Sequence, residues 1–165
     1  SNCMGFGAGI VVPGTGIALQ NRGVGSTLEP GHVNRVAPRK RPFHTIIPGF
    51  AMDLEGNPLM AFGLMGGPIQ AQGHLQLALR ILGYGQNPQA AADAPRWRID
   101  AGRRVGIEPG TDSALIEYLR ARGHDIVSEE LDATFSFGGA QIVLKTGDGY
   151  VAGSDPRKDG QALAR

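Results

Sequence analysis

Cysteine is almost absent. Cys3 is the single thiol in 165 residues, so no internal disulfide forms and the chain is not a disulfide scaffold. That count leaves the cellular compartment open. Charge of one sign is also missing, because 16 basic and 15 acidic residues leave a formal charge of +1. No global field therefore exists to hold nucleic acid or an anionic membrane surface, and no nucleic-acid partner is expected. No run approaches the roughly 18 apolar residues that span a bilayer, and no basic head followed by an apolar stretch opens the chain. A G-x-S-x-G elbow is lacking, and Ser154 in Gly153-Ser154-Asp155-Pro156-Arg157 has no helix after it, which disfavours a serine hydrolase triad. The four histidines, His32, His44, His74 and His124, do not fall at metal-ligand spacings, and Cys3 has no thiol partner. Neither a metal nor another cofactor is expected.

What is present is enough for a core: 41% of the residues are hydrophobic, and the length suits one domain. The 26 glycines and 11 prolines are dispersed among apolar runs instead of forming tracts, which argues against a disordered or collagen-like chain. The sequence opens at Ser1-Asn2 without a methionine, directly before a glycine-rich stretch, and we read it as a piece of a longer protein.

Apolar and β-branched runs at Ile10-Val11-Val12 and Ile17-Ala18-Leu19, separated by Pro13-Gly14, predict two short strands around a turn. Residues 22–42 hold Arg22, Arg35, Arg39, Lys40 and Arg41 among glycines and prolines without a helical period, which predicts a long loop. The Arg39-Lys40-Arg41 cluster lacks interleaved aromatic residues and is flanked by prolines, so it reads as a solvated or intersubunit loop. Thr45–Met52 and Leu59–Leu64 predict a hairpin buried on both faces, with Pro48 marking a bulge, an edge or an early strand boundary. Leu75, Ala78, Leu79 and Leu82 recur with a helical spacing that ends at Gly83. A short helix over Pro88–Ala94 is closed by Pro95. Strands follow over Trp97–Asp100 and Val105–Glu108, then a helix capped by Thr111 or Asp112 and stopped at Gly123. The closing strands are Ile126–Ser128, Ala140–Leu144 and Tyr150–Ala152, the last two joined at Gly147-Asp148-Gly149. The helices are grouped in the middle of about eight strands, which predicts an α+β layered sandwich and not a doubly wound sheet.

Three constellations bear on chemistry. Gly5, Gly7 and Gly9 have G-x-G-x-G spacing with a strand following, which is not the dinucleotide fingerprint. His74 and His124 read as a helix-surface and a helix-exit residue, whereas His44, where the basic loop meets an apolar strand, is either a loop anchor or a functional group. Gly66-Gly67-Pro68 stands at a strand-to-helix junction, where two side-chain-free residues can turn their N–H groups toward one point beside the positive end of a helix. Such a turn can hold an oxyanion, although tight turns without a function use the same pair.

Gly7-Ala8-Gly9-Ile10-Val11-Val12-Pro13-Gly14-Thr15-Gly16-Ile17 with Gln20-Asn21, then Arg41-Pro42, Gly66-Gly67, Ala94-Pro95-Arg96 and Ser154-Asp155-Pro156-Arg157 with Gly160 form a series of blocks in order. The series resembles the small subunit of γ-glutamyltranspeptidases. The resemblance implies part of the αββα sandwich of the N-terminal nucleophile hydrolases, with a large subunit from the same self-cleaved precursor as partner. It implies a γ-glutamyl or related acyl amide as substrate, cleaved through a threonine whose own α-amino group is the base. That threonine is expected upstream of Ser1, so the chain alone is expected to be inactive. Gly66 and Gly67 match the oxyanion-hole glycines. Asn2 corresponds to a substrate-contacting asparagine, and His44-Thr45 occupies the place of paired serines that grip the substrate α-carboxylate. After Gln20-Asn21 the family pattern has an uncharged polar residue and then an acid for the substrate ammonium group; Arg22 and Gly25 stand there instead. An arginine cannot pair with an ammonium, so Arg22 is expected to meet a substrate carboxylate, and the chain looks closer to the acylase-like branch related to cephalosporin acylases. A non-catalytic remnant serving as a binding or assembly module is the alternative.

Overall fold

The computed structural model describes residues 5–43, 46–129 and 136–164. It divides into two compact units, Ser1–Ile46 and Ile47–Arg165.

In the first unit β1 (Val11–Val12) and β2 (Ile17–Ala18) pair antiparallel, as the two apolar runs predict. Thr15 Oγ1 donates to the Val12 carbonyl and accepts from the Ile17 N–H, closing the turn. The basic segment that follows is largely irregular. It contains a 3-10 turn at Arg22–Gly25 and one isolated parallel bridge between Thr27 and Arg35.

In the second unit β3 (Gly49–Met52), β4 (Pro58–Met65), β8 (Gly139–Thr146) and β9 (Gly149–Ser154) form an antiparallel sheet in that order. A smaller sheet joins β5 (Trp97–Ala101), β6 (Arg104–Ile107) and β7 (Asp125–Ser128), with β6 and β7 parallel. Their crossover is α3 (Ser113–Ala121), whose N-cap Asp112 accepts the Ala114 N–H at 2.8 Å. Helix α1 (Ile69–Ala78) runs into a π-helical turn at Leu79–Gly83, and α2 is Pro88–Asp93. Among the described residues this is mixed helix and sheet with the helices grouped, as expected of an α+β layout.

Met60, Leu64, Ala140 and Ile142 on one face of the four-stranded sheet pack against Ile69, Leu77, Ile81, Ala91 and Ala92 of the helices. The opposite face is exposed at its far end and covered beside the Gly66 junction, where Gly63, Gly139 and Ser154 are buried under Ile47, Lys158 and Gly160, so the hairpin predicted to be buried on both faces is so only in part. Phe50, Ala61, Val143 and Ala152 are consecutive cross-strand partners over all four strands, and all lie on the open side. Strand pairing starts only at Gly49, one residue after Pro48, so the predicted early strand boundary is what the proline produces.

The helical stripe also needs correction. Ile69, Gly73, Gln76, Leu77 and Ile81 are buried, while Leu75, Leu79 and Leu82 are exposed. The segment is apolar on two sides, and periodicity alone cannot choose between them.

Glutamines finish the sheet edges. Gln76 accepts the Trp97 N–H at 3.1 Å and donates to the Trp97 carbonyl at 2.8 Å. Gln72, one turn earlier, does the same to Ile99 at 2.8 and 3.1 Å. Gln89 of α2 pairs with both backbone groups of Ser154 at 3.0 and 2.9 Å. Each side-chain amide stands in for the peptide of a neighbouring strand, so edges of both sheets are closed by helices.

Candidate active site

Strand β4 ends at Met65, which is paired with Gly139, and α1 begins at Ile69 behind Pro68. Gly66 and Gly67 make the junction with φ of 137° and 66°, values that a residue with a side chain adopts only under strain. A Cβ at Gly67 would meet nothing within 4 Å, so the conformation, not crowding, requires glycine there. The Gly67 carbonyl accepts the Gln70 N–H at 3.1 Å. Among the described residues neither the Gly66 nor the Gly67 N–H has a hydrogen-bond partner. Two unpaired donors thus stand beside the partial positive charge at the start of α1. On the open face of the large sheet a cavity of about 490 Å³ is lined by Ala61, Gly63, Gln141 and Val143 and extends to Met65, the residue before Gly66.

His74 is not the surface residue the sequence suggests. It is half-buried, its ring meets Phe62 edge-on at 5.4 Å, and its Nε2 accepts the Leu64 N–H at 2.9 Å. Burial holds its pKa below the ordinary imidazole value. The legible signal was Gly73 immediately before it, which marks a close helix approach.

Arg22 belongs to the first unit, where its N–H is held by Gln20 Oε1. Asn2, His44 and Thr45 lie outside the described residues. Among the described residues no group of histidine, cysteine or carboxylate side chains is arranged to hold a metal ion, and no helix is long and apolar enough to cross a membrane.

The Ala94-Pro95-Arg96 and Ser154-Asp155-Pro156-Arg157 blocks converge on one buried ion-pair network. The Arg96 guanidinium, 2% exposed, bonds the Asp155 carboxylate, the Phe137 carbonyl at 2.9 Å and the Ala92 carbonyl at 3.0 Å. Asp155, 1% exposed, also accepts from the Ala140 N–H at 2.7 Å and the Arg157 N–H at 2.9 Å. Arg157 grips Glu108 through two 2.6 Å bonds, and Glu108 in turn accepts the Arg96 N–H at 2.8 Å. The four side chains balance in charge and join the end of α2 to β5, β6 and β8. Burial alone would raise the Asp155 carboxyl, but the bonds from Arg96, Ala140 and Arg157 hold it below its ordinary value. Burial lowers the Arg96 guanidinium against the pull of Asp155.

A carboxyl depressed in the folded state stabilises the fold at pH values above its unfolded pKa, here 3.8, and that contribution disappears as pH falls through the folded value. Urea midpoints of the full-length protein and of Asp155→Asn are therefore expected to differ at pH 7 and to draw together only as pH falls below 3.8 and through the lowered folded value.

Comparison with known proteins bears on this geometry. The family model for gamma-glutamyltranspeptidase matches residues 1–165. The oxamate amidohydrolase proenzyme of Klebsiella pneumoniae is 38% identical over 95% of this chain. The glutathione hydrolase-like YwrD proenzyme of Bacillus subtilis is 36% identical over 96%. The chain spans 30% and 31% of the length of these two relatives. The crystal structure of cephalosporin acylase from Bacillus halodurans superposes with a TM-score of 0.89 at 46% identity, covering 98% of this chain and 30% of that one. The fold is thus part of an N-terminal nucleophile hydrolase-type αββα sandwich, as the resemblance implied. With the whole chain matched by the family model, and with relatives 38% and 36% identical over nearly all of it, the chain belongs to the gamma-glutamyltranspeptidase family.

Proposed function

We propose that this chain is the C-terminal part of the small subunit of an autoprocessed amidohydrolase and supplies the oxyanion hole of its active site. The N–H groups of Gly66 and Gly67, without a partner among the described residues, carry the reading. The nucleophile is a threonine on the segment preceding Ser1, and its α-amino group is the base. The threonine Oγ attacks the amide carbonyl as the amine takes its proton. The resulting oxyanion is held by the two glycine N–H groups. Collapse returns the proton to the leaving amine and leaves an acyl-threonine, which water or an acceptor amine then releases.

The substrate is a γ-glutamyl or related acyl amide, contacted by Asn2, Arg22, His44 and Thr45. Arg22 favours the acylase-like reading, because its cation suits a substrate carboxylate and repels a free ammonium. Relatives named oxamate amidohydrolase and cephalosporin acylase support that branch. The partner is the large subunit of the same precursor. The exposed apolar row through Phe50, Ala61, Val143 and Ala152 supports this, because that part of the sheet face is left for a further layer of the sandwich to cover.

The experiment compares the full-length precursor with a variant whose junction threonine is alanine, measuring chain cleavage and release of aniline from a γ-glutamyl anilide. The variant is expected to remain uncleaved and to release aniline at the background rate. Equal rates from the two proteins contradict the mechanism, and a precursor with no threonine at the junction would make the chain a binding or assembly remnant.

A further inference from the structure

One hydrogen bond beside the site belongs to neither the turn nor its chemistry. Leu64 lies two positions before Gly66, and its N–H is accepted by His74 Nε2 at 2.9 Å. The β3 ladder stops at the Gly49–Phe62 pair, so β3 offers Leu64 no partner. His74, on α1, fills that place and closes a loop from Leu64 to His74 that contains the whole Gly66-Gly67-Pro68 turn.

The contact depends on close packing. A Cβ at Gly73 would lie 2.6 Å from Leu64 Cδ1 and 2.7 Å from Leu64 Cδ2, far inside van der Waals contact, so only glycine lets α1 approach β4 this closely. From the other side Gly138 is equally confined, since a Cβ there would lie 2.1 Å from the Met65 carbonyl oxygen. The last residues of β4 are therefore fixed by packing, and His74 is the polar tie that relates them to the helix.

We propose that His74 is a positioning residue that locks the end of β4 to α1 and so aims the Gly66 and Gly67 N–H groups, with the site competent only while the imidazole is neutral. The inference rests on the oxyanion-hole reading. An Nε2 that accepts carries no proton, so the ring is the Nδ1–H tautomer; protonation turns Nε2 into a donor facing another donor and breaks the tie. No ionisable side chain of β4 or of the rest of α1 competes for this role. Of the other elements against α1, β5 carries Arg98 and Asp100, which are bonded to each other, and the π-helical turn carries Arg80, bonded to the Pro95 carbonyl. Burial is the cause of the His74 shift, which places its titration below 6.5.

The test uses the mature enzyme with His74→Gln, which keeps an acceptor at the Nε2 position, and His74→Leu, which removes it. In wild type the acid limb of the kcat profile carries a second step beyond that of the threonine amine, and H74Q lacks this step while staying within about fivefold of wild-type kcat at neutral pH. H74L is expected to lose about tenfold or more in kcat with KM nearly unchanged, as misdirected donors affect the transition state more than binding. Should H74L not fold, the H74Q profile decides. Wild-type kcat in folded H74L, or an unaltered acid limb in H74Q, overturns the role of His74. Gly66→Ala serves as the control for the underlying reading: if it too keeps full kcat, the oxyanion hole is wrong, whereas loss in Gly66→Ala with H74L unaffected removes only the histidine.

Discussion

Gly66→Ala in the mature enzyme is expected to lower kcat about 10²-fold while leaving KM within a few-fold of wild type. The reason is local. At φ 137° a Cβ is incompatible with the backbone, so the peptides on both sides of residue 66 rotate to a permitted region. The N–H groups on both sides are then re-aimed, although neither has been deleted. Because the oxyanion forms only during reaction, the cost falls on the transition state and not on the bound ground state. Gly67→Ala, at φ 66°, is the milder change, since alanine enters the left-handed region at a cost of about 1 kcal/mol. The order of effects, Gly66 before Gly67, separates this account from one in which the turn merely joins two elements. In that case both variants would lose stability and keep kcat.

Asp155→Ala is expected to destabilise the full-length protein by about 3–5 kcal/mol, because it leaves the buried Arg96 guanidinium uncompensated. Two further bonds fail with it, those from the Ala140 and Arg157 N–H groups. Replacing Arg96 and Asp155 together by methionine and leucine removes the stranded charge and is expected to cost less than Asp155→Ala alone. Urea unfolding of Asp155→Ala, of the double variant and of its two singles, Arg96→Met and Asp155→Leu, measures this. A double variant as unstable as the sum of its singles would mean that the pair acts through its separate bonds and not through mutual neutralisation.

These two predictions drew differently on the sequence. Gly66-Gly67 is visible as a strand-to-helix junction because two glycines precede a proline and a helical stretch, and α1 begins at Ile69, directly after Pro68; its place among family blocks, not the pair itself, points to chemistry. The cap at Thr111 or Asp112, which the structure resolves to Asp112, the stop at Gly123 and the hairpin at Gly147-Asp148-Gly149 are legible because each is local chemistry written in adjacent residues. The ion-pair network was not. Arg96, Glu108 and the Asp155–Arg157 pair are far apart in sequence, and nothing in the two blocks that contain Arg96, Asp155 and Arg157 says that they meet Glu108; those three entered only as marks of family. His74 was misplaced because helical periodicity weighs apolar residues and is silent on a histidine whose partner is a backbone N–H. The hairpin was read as buried on both faces because its apolar residues run unbroken, which is how a strand looks when it lies inside a sandwich. Among the described residues one of those faces is open over Phe50, Ala61, Val143 and Ala152, and the unbroken apolar run does not mark which part of a strand stays uncovered.

The most direct measurement is a crystal structure of the mature enzyme carrying a boronic-acid adduct on the nucleophilic threonine, since its tetrahedral oxygens mark where the oxyanion forms. The account predicts one of these oxygens within about 2.7–3.1 Å of both the Gly66 and Gly67 nitrogens. An adduct whose oxygens are held by other donors, with these two N–H groups turned away, contradicts it.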